Sequence, residues 1–430
     1  MSLISRKVRR AATAVGAVSL LLSAAACSNN NSSDAHTLTM WTNVSPGPGL
    51  DYLNNTIKTF ESQHSGYTIK LKTMADTDLD GALQTAMQGG ASTAPDIYLQ
   101  RGGGKLKAQV QAGQVADISG SLSAQAKQDI VASSYGPEQV DGKTYAVPVA
   151  IQPGGFFYSK NLFKQAGITS VPTTVAQLEA ADAKLKGKGI TPIAVGAKDG
   201  WPAAHWYYWF ALRDCSQGVL NSTAQSLKFT DACWTKAGDD LKAFIATNPW
   251  EKGYIGIGQQ GAGSSAALMA NHKASMELMG GWDPGVIAGL TPNKKPLPDL
   301  SFFPMVQVPG GKGSPTATMG GVDAYSCSKW APSVCTDFLN LLATTAQQTA
   351  YSKAFQTVPA NTQSQKTVTD PLLKAETASV AKAPYVSFWL DSLYGQNVGT
   401  ALNTSVVNLF TGKGTVADII STVNAAGAKG

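Results

Sequence analysis

The segment that follows residue 36 alternates between two hydrophobic periods, and this alternation restricts the possible folds more than any other feature of the sequence. In Thr37–Thr42, Leu38 and Met40 alternate with polar residues, which predicts a half-buried strand. Residues 67–72 and 95–99 predict two further strands, and the stretches between the strands carry apolar residues at helical spacing. The β-α-β-α-β order predicts a mostly parallel sheet covered by helices.

A second region of the same kind begins near Tyr145. Thr174 and Gln177 have the pattern of a capping box for a helix that Gly187 would close. The other elements predicted downstream are strands at residues 190–195, 274–279 and 301–306 and helices at residues 264–272 and 335–355. Because 430 residues are too many for one compact core, we expect an α/β protein of two lobes between which the chain crosses several times.

The net charge of +6 comes mostly from the N-terminus. Residues 1–26 contain four basic and no acidic side chains, which leaves 30 basic against 28 acidic side chains in the remainder. That balance would not draw the protein to nucleic acid, so no nucleic-acid partner is expected. With 43% hydrophobic and 14% charged residues, the composition excludes a disordered chain and a polytopic membrane protein.

The N-terminus has the pattern of an export signal. A basic stretch is followed by an apolar run, residues 11–22, that is too short to cross a bilayer as a lasting helix. Small residues then precede Cys27, which resembles the lipidated Cys of the bacterial lipobox, although Ala24 stands where Leu is commonest. Ordinary secretion, with cleavage nearby and no lipid anchor, is therefore an alternative. We expect a signal peptide at residues 1–27, a polar tether at residues 28–36 and a lipid anchor that holds the protein at the extracellular face of the cell membrane.

Four cysteines remain once Cys27 is set aside. An exported protein meets oxidising conditions, so an even number predicts two disulfides out of three possible pairings. Proximity in sequence favours Cys215–Cys233 and Cys327–Cys335. Four buried free thiols are the alternative, and the spacing does not suit a zinc site.

The sequence contains no convincing signature of a cofactor-dependent enzyme. Residues 256–261 match G-x-G-x-x-G, but no good strand precedes them and no acidic residue lies about 20 positions further on. We interpret this stretch as a flexible loop that leads into a helix. The chain has no Walker A motif and no G-x-S-x-G, and its four histidines are dispersed. The sequence therefore predicts no cofactor, no metal and no Ser-His-Asp triad.

Aromatic residues are concentrated in two places. Residues 199–210 contain six aromatic side chains and His205, and the stripe of Trp206, Trp209 and Phe210 is predicted to be core. For Trp201, which precedes that helix, a cleft position and a core position are equally expected. Trp282 follows the strand at residues 274–279, where α/β proteins bind ligands, and we favour a ligand platform over a hydrophobic plug. The apolar face of a sugar ring packs well on a flat indole.

Several motifs in this order and spacing resemble one family over nearly all of residues 37–430. They are Trp41 in the first strand, APDIYLQ at 94–100, DGKTYAVPVAIQPGGFFYSKNLFKQAGI at 141–168, PTTVAQLEAA at 172–181, AALMANHKASMELMGGWDPG at 266–285 and MGGVDAYSCSKWAP at 319–332. The family is the extracellular (family 1) sugar-binding proteins of bacterial ABC importers, lipoprotein type.

The resemblance implies a two-lobed, periplasmic-binding-protein-like (type II) α/β fold with a hinge between the lobes and sugar bound between them. Carried over, lobe one comprises residues 37–147 and 317–360, and lobe two comprises residues 148–316 and 361–430. The hinge crossings are then expected near residues 147–149, 317–322 and 359–361.

The resemblance also implies a set of cleft residues. Trp282 would stack on the sugar, and Asp283 beside it would accept from sugar hydroxyls. For Arg101, His205 and Trp389, a surface ion partner or core packing is the alternative. The expected sugar-binding residues are Trp41, Asn43, Arg101, Gln152, Trp201, His205, Trp282, Asp283, Asp323 and Trp389.

The function implied is that of a monomeric, non-enzymatic binding protein that captures a neutral di- or oligosaccharide and delivers it to an ABC permease. A xylobiose-like sugar or a related plant or chitin fragment is expected. The alternative is a secreted glycoside hydrolase, because four carboxyl groups stand near aromatic residues and such enzymes need two carboxyls about 5–10 Å apart. These groups belong to Asp199, Asp214, Glu277 and Asp283. A surface adhesin without a small ligand is a third interpretation.

Overall fold

The computed structural model describes residues 36–429. The predicted signal peptide, the lipidation of Cys27 and all but the last residue of the predicted tether lie outside the described residues. Among residues 36–429, no helix is both long and apolar enough to pass through a bilayer.

Strands account for two main sheets and a small hairpin. The strands are β1 (Thr37–Thr42), β2 (Thr68–Thr73), β3 (Ile97–Gln100), β4 (Gln139–Val140), β5 (Lys143–Thr144), β6 (Val147–Pro153), β7 (Gly155–Ser159), β8 (Thr191–Ala194), β9 (Ala274–Met279), β10 (Leu300–Pro304), β11 (Thr318–Cys327), β12 (Val358–Pro359) and β13 (Val386–Phe388).

Helices connect and cover these strands. They are α1 (Pro48–Gln63), α2 (Asp76–Gln88), α3 (Gly103–Gln111), α4 (Ala124–Asp129), α5 (Ala132–Tyr135), α6 (Lys160–Gln165), α7 (Val175–Lys186), α8 (Trp201–Asp214), α9 (Gln217–Ser226), α10 (Ala232–Ala246), α11 (Ser265–Ala270), α12 (Asp283–Leu290), α13 (Val334–Ala343), α14 (Thr345–Phe355), α15 (Thr362–Gln365), α16 (Pro371–Lys382), α17 (Leu390–Leu393), α18 (Gly395–Phe410) and α19 (Val416–Gly427).

The larger sheet has the order β12-β6-β11-β3-β1-β2, with β13 paired to β11. The pairs β1–β2 and β1–β3 are parallel, as the β-α-β-α-β pattern predicted. The prediction of a mostly parallel sheet is wrong for the other half, because β11 pairs with β3 and β6 in antiparallel fashion and β12 pairs with β6 in the same way. These strands arrive from distant parts of the chain rather than through a local helical crossover, so no local pattern fixes their direction.

The smaller sheet has the order β10-β7-β9-β8. Strands β8 and β9 are parallel, while β7 runs antiparallel to β9 and β10. We call the halves of the molecule built on the two sheets the large-sheet lobe and the small-sheet lobe. Strand β6 belongs to the larger sheet and β7 to the smaller one, so the chain changes sheets at Gly154. The lobe boundaries given above stay predictions.

Each lobe has its own hydrophobic core. In the large-sheet lobe, Phe60 of α1 packs against Phe338 of α13 at 5.4 Å between ring centroids. In the small-sheet lobe, Trp206 and Trp209 of α8 lie 5.7 and 5.6 Å from Phe156 of β7. Both indoles are fully buried, which confirms the prediction that the stripe on this helix is core.

Helix α7 begins and ends close to the predicted positions, because the two residues predicted to cap it do so. The Thr174 hydroxyl accepts from the Gln177 amide N–H at 3.3 Å, and Gly187 is the C-terminal cap. The reciprocal half of the predicted box is shifted by one residue, because the Gln177 side chain accepts from the backbone N–H and the hydroxyl of Thr173 instead of from Thr174. Both contacts satisfy donors at the start of the helix.

The structure forms both predicted disulfides. Cys215, directly after α8, is bonded to Cys233 in the first turn of α10, with 18 residues of separation. Cys327 at the end of β11 is bonded to Cys335 in the first turn of α13, with 8 residues of separation. One bridge therefore closes a loop in each lobe.

We expect the double substitution Cys215→Ser/Cys233→Ser to lower the free energy of unfolding by about 3 kcal/mol, because it opens the longer loop in the unfolded chain. The matched control, Cys327→Ser/Cys335→Ser, opens the shorter loop and should cost about 2.5 kcal/mol. Urea unfolding followed by far-ultraviolet circular dichroism measures both losses. Equal stability of all three proteins, or a larger loss for the shorter loop, would contradict this expectation.

Candidate functional site

A cavity of about 960 Å³ lies between the two lobes. The large-sheet lobe contributes residues that follow β1 and β3, together with α2 and parts of β6 and β11. The small-sheet lobe contributes the start of α8, residues of α12 and the loop that precedes α11. Residues of α14 and, from the C-terminal segment, of α17 and α18 also line the cavity. Eight of the ten residues predicted to bind sugar line it: Asn43, Arg101, Gln152, Trp201, His205, Trp282, Asp323 and Trp389.

Four of these residues form an aromatic wall, which we define as Trp201, His205, Trp282 and Trp389. The ring centroids of Trp201 and Trp282 are 5.9 Å apart, and those of Trp282 and Trp389 are also 5.9 Å apart. The His205 imidazole stacks on the Trp389 indole at 4.0 Å with an interplanar angle of 9°. The rings therefore support one another as they face the cavity.

Local structure sets the position of each ring of the aromatic wall. Trp201 is the first residue of α8, so His205 lies one turn further along the same face. Trp282 caps α12 after the end of β9, and its ring lies over Gly280. A Cβ atom at Gly280 would stand 2.1 Å from the Trp282 ring, so only glycine leaves room for this side-chain position.

Charged and amide side chains form a second part of the lining, in the large-sheet lobe. The Arg101 guanidinium is paired with Asp76 and lies 3.4 Å from the Asp80 carboxylate. Lys105 Nζ is 2.6 Å from Asp80 Oδ2, and Asn43 Nδ2 donates to Asp76 Oδ1 at 2.6 Å. We call these five residues the charged network.

The charges of this network balance one another. Burial alone would raise the pKa of Asp80, but attraction to the Arg101 and Lys105 cations lowers it to about 2. The carboxylates in turn raise the pKa of Arg101 above its usual value. Both ion types therefore stay charged and fixed in place around neutral pH, and their hydrogen-bonding groups are held in position at the cavity.

Gln152 and Asp323 lie where β6 and β11 pair. The Gln152 amide donates to Asp323 and accepts from the Thr357 hydroxyl at 2.7 Å, and the Tyr351 hydroxyl donates to Asp323 Oδ2 at 3.2 Å. Burial raises the pKa of Asp323. Much of the hydrogen-bonding capacity of these two side chains is thus used inside the protein.

The structure does not bring Trp41 and Asp283 to the cavity. Side chains alternate along β1, so Trp41 points to the opposite face from buried Thr42 and packs beside Lys72, whose Nζ lies 4.2 Å from the ring centroid. Asp283 is completely buried behind Trp282, where its Oδ1 accepts from Gln259 Nε2 at 3.0 Å. Burial raises the pKa of Asp283, and burial together with the nearby Asp283 carboxyl group raises the pKa of Glu277.

Sequence reasoning missed the partners of Arg101 and the polar residues of the C-terminal segment. Asp76 and Asp80 stand four residues apart at the start of α2, directly after a strand, and this spacing places both carboxylates on one face of the helix. The spacing could therefore have identified both carboxylates from the sequence alone. Asn403 and Asp391, which are 3.4 Å apart at the cavity, carry no such signal. Helix α18 packs against α8 through residues that are 195 positions apart in the sequence, so no local pattern predicts the contact.

Within residues 36–429, no group of three or more His, Cys, Asp or Glu side chains is arranged to hold a metal ion. The lining instead combines the aromatic wall with the fixed donors and acceptors of the charged network. Such a surface is suited to a ligand that has both apolar faces and polar edges.

Comparisons with known proteins point in the same direction as this geometry. Residues 46–349 match the family model of the bacterial extracellular solute-binding proteins. A putative binding protein of Brucella abortus is 27% identical over 175 residues, which is 41% of this chain and 42% of that protein. The aligned part thus spans less than half the length of that relative.

Solved structures resemble this fold over almost the whole chain. A chitin oligosaccharide binding protein has a TM-score of 0.82 and 25% identity, covering 91% of this chain and 98% of its own. A structure from work on xylan utilization by the thermophilic bacterium Caldanaerobius polysaccharolyticus also has a TM-score of 0.82, with 23% identity, covering 90% of this chain and 99% of its own. The two-lobed α/β fold expected from the sequence is confirmed.

The burial of His205 predicts a specific pH dependence of stability. Desolvation lowers the pKa of His205 to about 3, whereas a histidine in the unfolded chain has a pKa near 6.5. Between these two pH values, the unfolded chain binds a proton that the folded protein does not bind. This contribution to stability is complete above pH ~6.5 and is lost as the pH falls toward 3.

We therefore expect the wild type to lose more stability than His205→Gln between pH 7 and pH 4, measured from urea midpoints. Buried carboxyl groups with raised pKa values act in the opposite direction, but they are present in both proteins and cancel in the difference. Parallel pH profiles for the two proteins would show that His205 does not titrate in this way.

Proposed function

The chain belongs to the bacterial extracellular solute-binding proteins, and from this premise we propose that it captures a neutral di- or oligosaccharide in the cavity between its lobes and delivers it to an ABC permease. Members of this family are exported, so the chain acts outside the cell. The observation that carries the proposal is that an aromatic wall and a network of fixed polar groups line the same cavity between the lobes.

Saccharides match both surfaces. The C–H face of a sugar ring removes apolar area from water when it packs on an indole, while its hydroxyl groups need donors and acceptors in fixed positions. Three tryptophans at centroid spacings of 5.9 Å form a surface wider than one ring, which supports a ligand of more than one sugar unit.

The charges that line the cavity support a neutral ligand. The lining contains five acidic and four basic side chains, and the pKa of one of the acids, Asp323, is raised by burial. Arg101, Lys105, Asp76 and Asp80 neutralise one another. An acidic sugar would need unpaired cations, and the charged network does not supply them.

A xylobiose-like sugar or a chitin fragment is the ligand class that we propose. This choice rests on the named activities of the structural relatives, a chitin oligosaccharide binding protein and a protein from a xylan-utilizing bacterium. We further propose that the protein acts as a monomer held at the cell surface through a lipid on Cys27, so that captured sugar stays close to the permease.

The proposed mechanism involves binding and no chemistry. The chain passes from the larger sheet to the smaller one at Gly154 and returns between β10 and β11, and the lobes would move relative to each other about these connecting segments. A saccharide on one lobe gains contacts from the other only in the closed form, and this differential affinity shifts the population toward closure. The permease would recognise the two lobes in their closed arrangement.

The alternative of a glycoside hydrolase is not favoured by the positions of its four candidate acids. Of these, only Asp199 lines the cavity. Asp214 is paired with Lys236 at 2.7 Å in the small-sheet lobe, and Glu277 and Asp283 are completely buried behind the aromatic wall. Two carboxyl groups on either side of one glycosidic bond are therefore not provided by this set.

Calorimetric titration of the protein with xylobiose, N,N′-diacetylchitobiose, maltose and raffinose tests the proposed function. We expect saturable binding of one molecule per chain for at least one sugar. The same mixtures, incubated for hours and analysed by chromatography, should contain the saccharide at its original length. Shorter products would support the hydrolase, and no binding across a wider panel of neutral saccharides would refute the proposal.

We expect Trp282→Ala to weaken the binding of the best sugar of that panel about 10- to 100-fold, because it removes about 1.5–3 kcal/mol of buried aromatic contact. The matched control is Trp41→Ala, which removes an indole that does not line the cavity. Calorimetry measures both affinities, and thermal melting confirms that both variants are folded. Equal losses for the two variants would show that Trp282 is not the main platform.

A further inference from the structure

The G-x-G-x-x-G stretch has no role in the function proposed so far. It lies in a loop of residues 256–263, between α10 and α11, which we call the glycine loop. Gln260 and Gly261 of this loop line the cavity, whereas the neighbouring Gln259 is completely buried. Gln259 thus forms the fixed base of the loop, whereas Gln260 forms its exposed tip.

Gln259 ties the base of the loop to both sides of the aromatic wall. Its backbone N–H donates to Asp199 Oδ2 at 2.7 Å, and Asp199 stands two residues before Trp201. Its side-chain Nε2 donates to Asp283 Oδ1 at 3.0 Å, and Asp283 directly follows Trp282. The loop is therefore part of the same rigid unit as the two tryptophans.

Gln260 reaches across the mouth of the cavity. The Ser45 hydroxyl donates to Gln260 Oε1 at 3.0 Å, although the two residues are 215 positions apart. Ser45 follows β1 of the large-sheet lobe, and the glycine loop precedes α11 of the small-sheet lobe. Any opening of the cleft at this point must break the bond, because its two ends belong to different lobes.

We propose that the Ser45–Gln260 hydrogen bond is a latch that holds the cleft closed over bound saccharide and sets how long the sugar stays. The proposal rests on the proposed function and deepens it. Sugar enters only the open form, so the latch slows association only by the fraction of ligand-free protein that it holds closed. Release requires opening, so the rate of dissociation depends on the latch directly.

The test is a stopped-flow measurement of tryptophan fluorescence with N,N′-diacetylchitobiose or xylobiose, whichever binds the wild type more tightly. We expect Gln260→Ala and Ser45→Ala each to raise the dissociation rate about threefold to tenfold, as the loss of one solvent-exposed hydrogen bond allows. The association rate should change less than about twofold, since changes at one interface act mostly on dissociation.

A double-mutant cycle and a matched control separate a latch from a general effect. The double variant should dissociate no faster than either single variant, because both remove the same bond. Gln225→Ala replaces another exposed glutamine of the small-sheet lobe, in α9 and away from the cavity lining, and should match the wild type. Unchanged melting temperatures of all ligand-free variants would exclude a loss of stability as the cause.

Small-angle scattering tests the latch without any sugar, so its result stands even if no saccharide binds and the proposed function fails. We expect the ligand-free Gln260→Ala protein to have a larger radius of gyration than the ligand-free wild type, because the closed form has lost a contact. If Gln260→Ala and the wild type have equal radii and equal dissociation rates, the latch is overturned. If no sugar binds, equal radii alone overturn it. Additive effects of the two single substitutions also overturn it.

Discussion

The position of the site depends on how tightly the chain passes from the larger sheet to the smaller one at Gly154. Between β6 and β7, Gly154 donates its backbone N–H to the Met319 carbonyl of β11 at 2.7 Å, so the larger sheet is hydrogen-bonded up to the point of change. A Cβ atom there would stand 2.6 Å from the Trp389 ring. Because Gly154 has no side chain, the aromatic wall can pack against the junction of the lobes. The cavity therefore lies where the two sheets meet.

The rigidity of the aromatic wall comes from the burial of α8. The sequence predicts a helix with one core stripe, yet every residue from Pro202 to Asp214 is buried. The C-terminal helix α18 packs against α8 on one side and α10 packs on another, so the helix has no solvent-facing side. This enclosure explains why His205 stays uncharged, and it fixes the ring that stacks on Trp389.

Local sequence patterns predicted local structure well, and contacts between distant segments poorly. Local sequence patterns predicted β1 and β9 with their observed bounds, and capping residues predicted α7, because these signals depend on neighbours in the chain. The antiparallel pairing of β11, the outward direction of Trp41 and the burial of Asp283 depend on segments that arrive from elsewhere. Of the site, resemblance supplied eight lining residues, but not the carboxylates that hold Arg101.

Those carboxylates explain how the proposed site for an uncharged ligand can use a charged residue. A free Arg101 side chain would lose rotational freedom on binding, and its charge would favour acidic ligands. With Asp76 and Asp80 beside it, the guanidinium is already ordered and its charge is compensated. Its remaining N–H groups are then ordered donors whose positive charge is balanced by the adjacent carboxylates. The same logic applies to the stacked His205 and Trp389, so these side chains are ordered before a ligand arrives. In the proposed mechanism, the free energy of contact is then available to close the lobes.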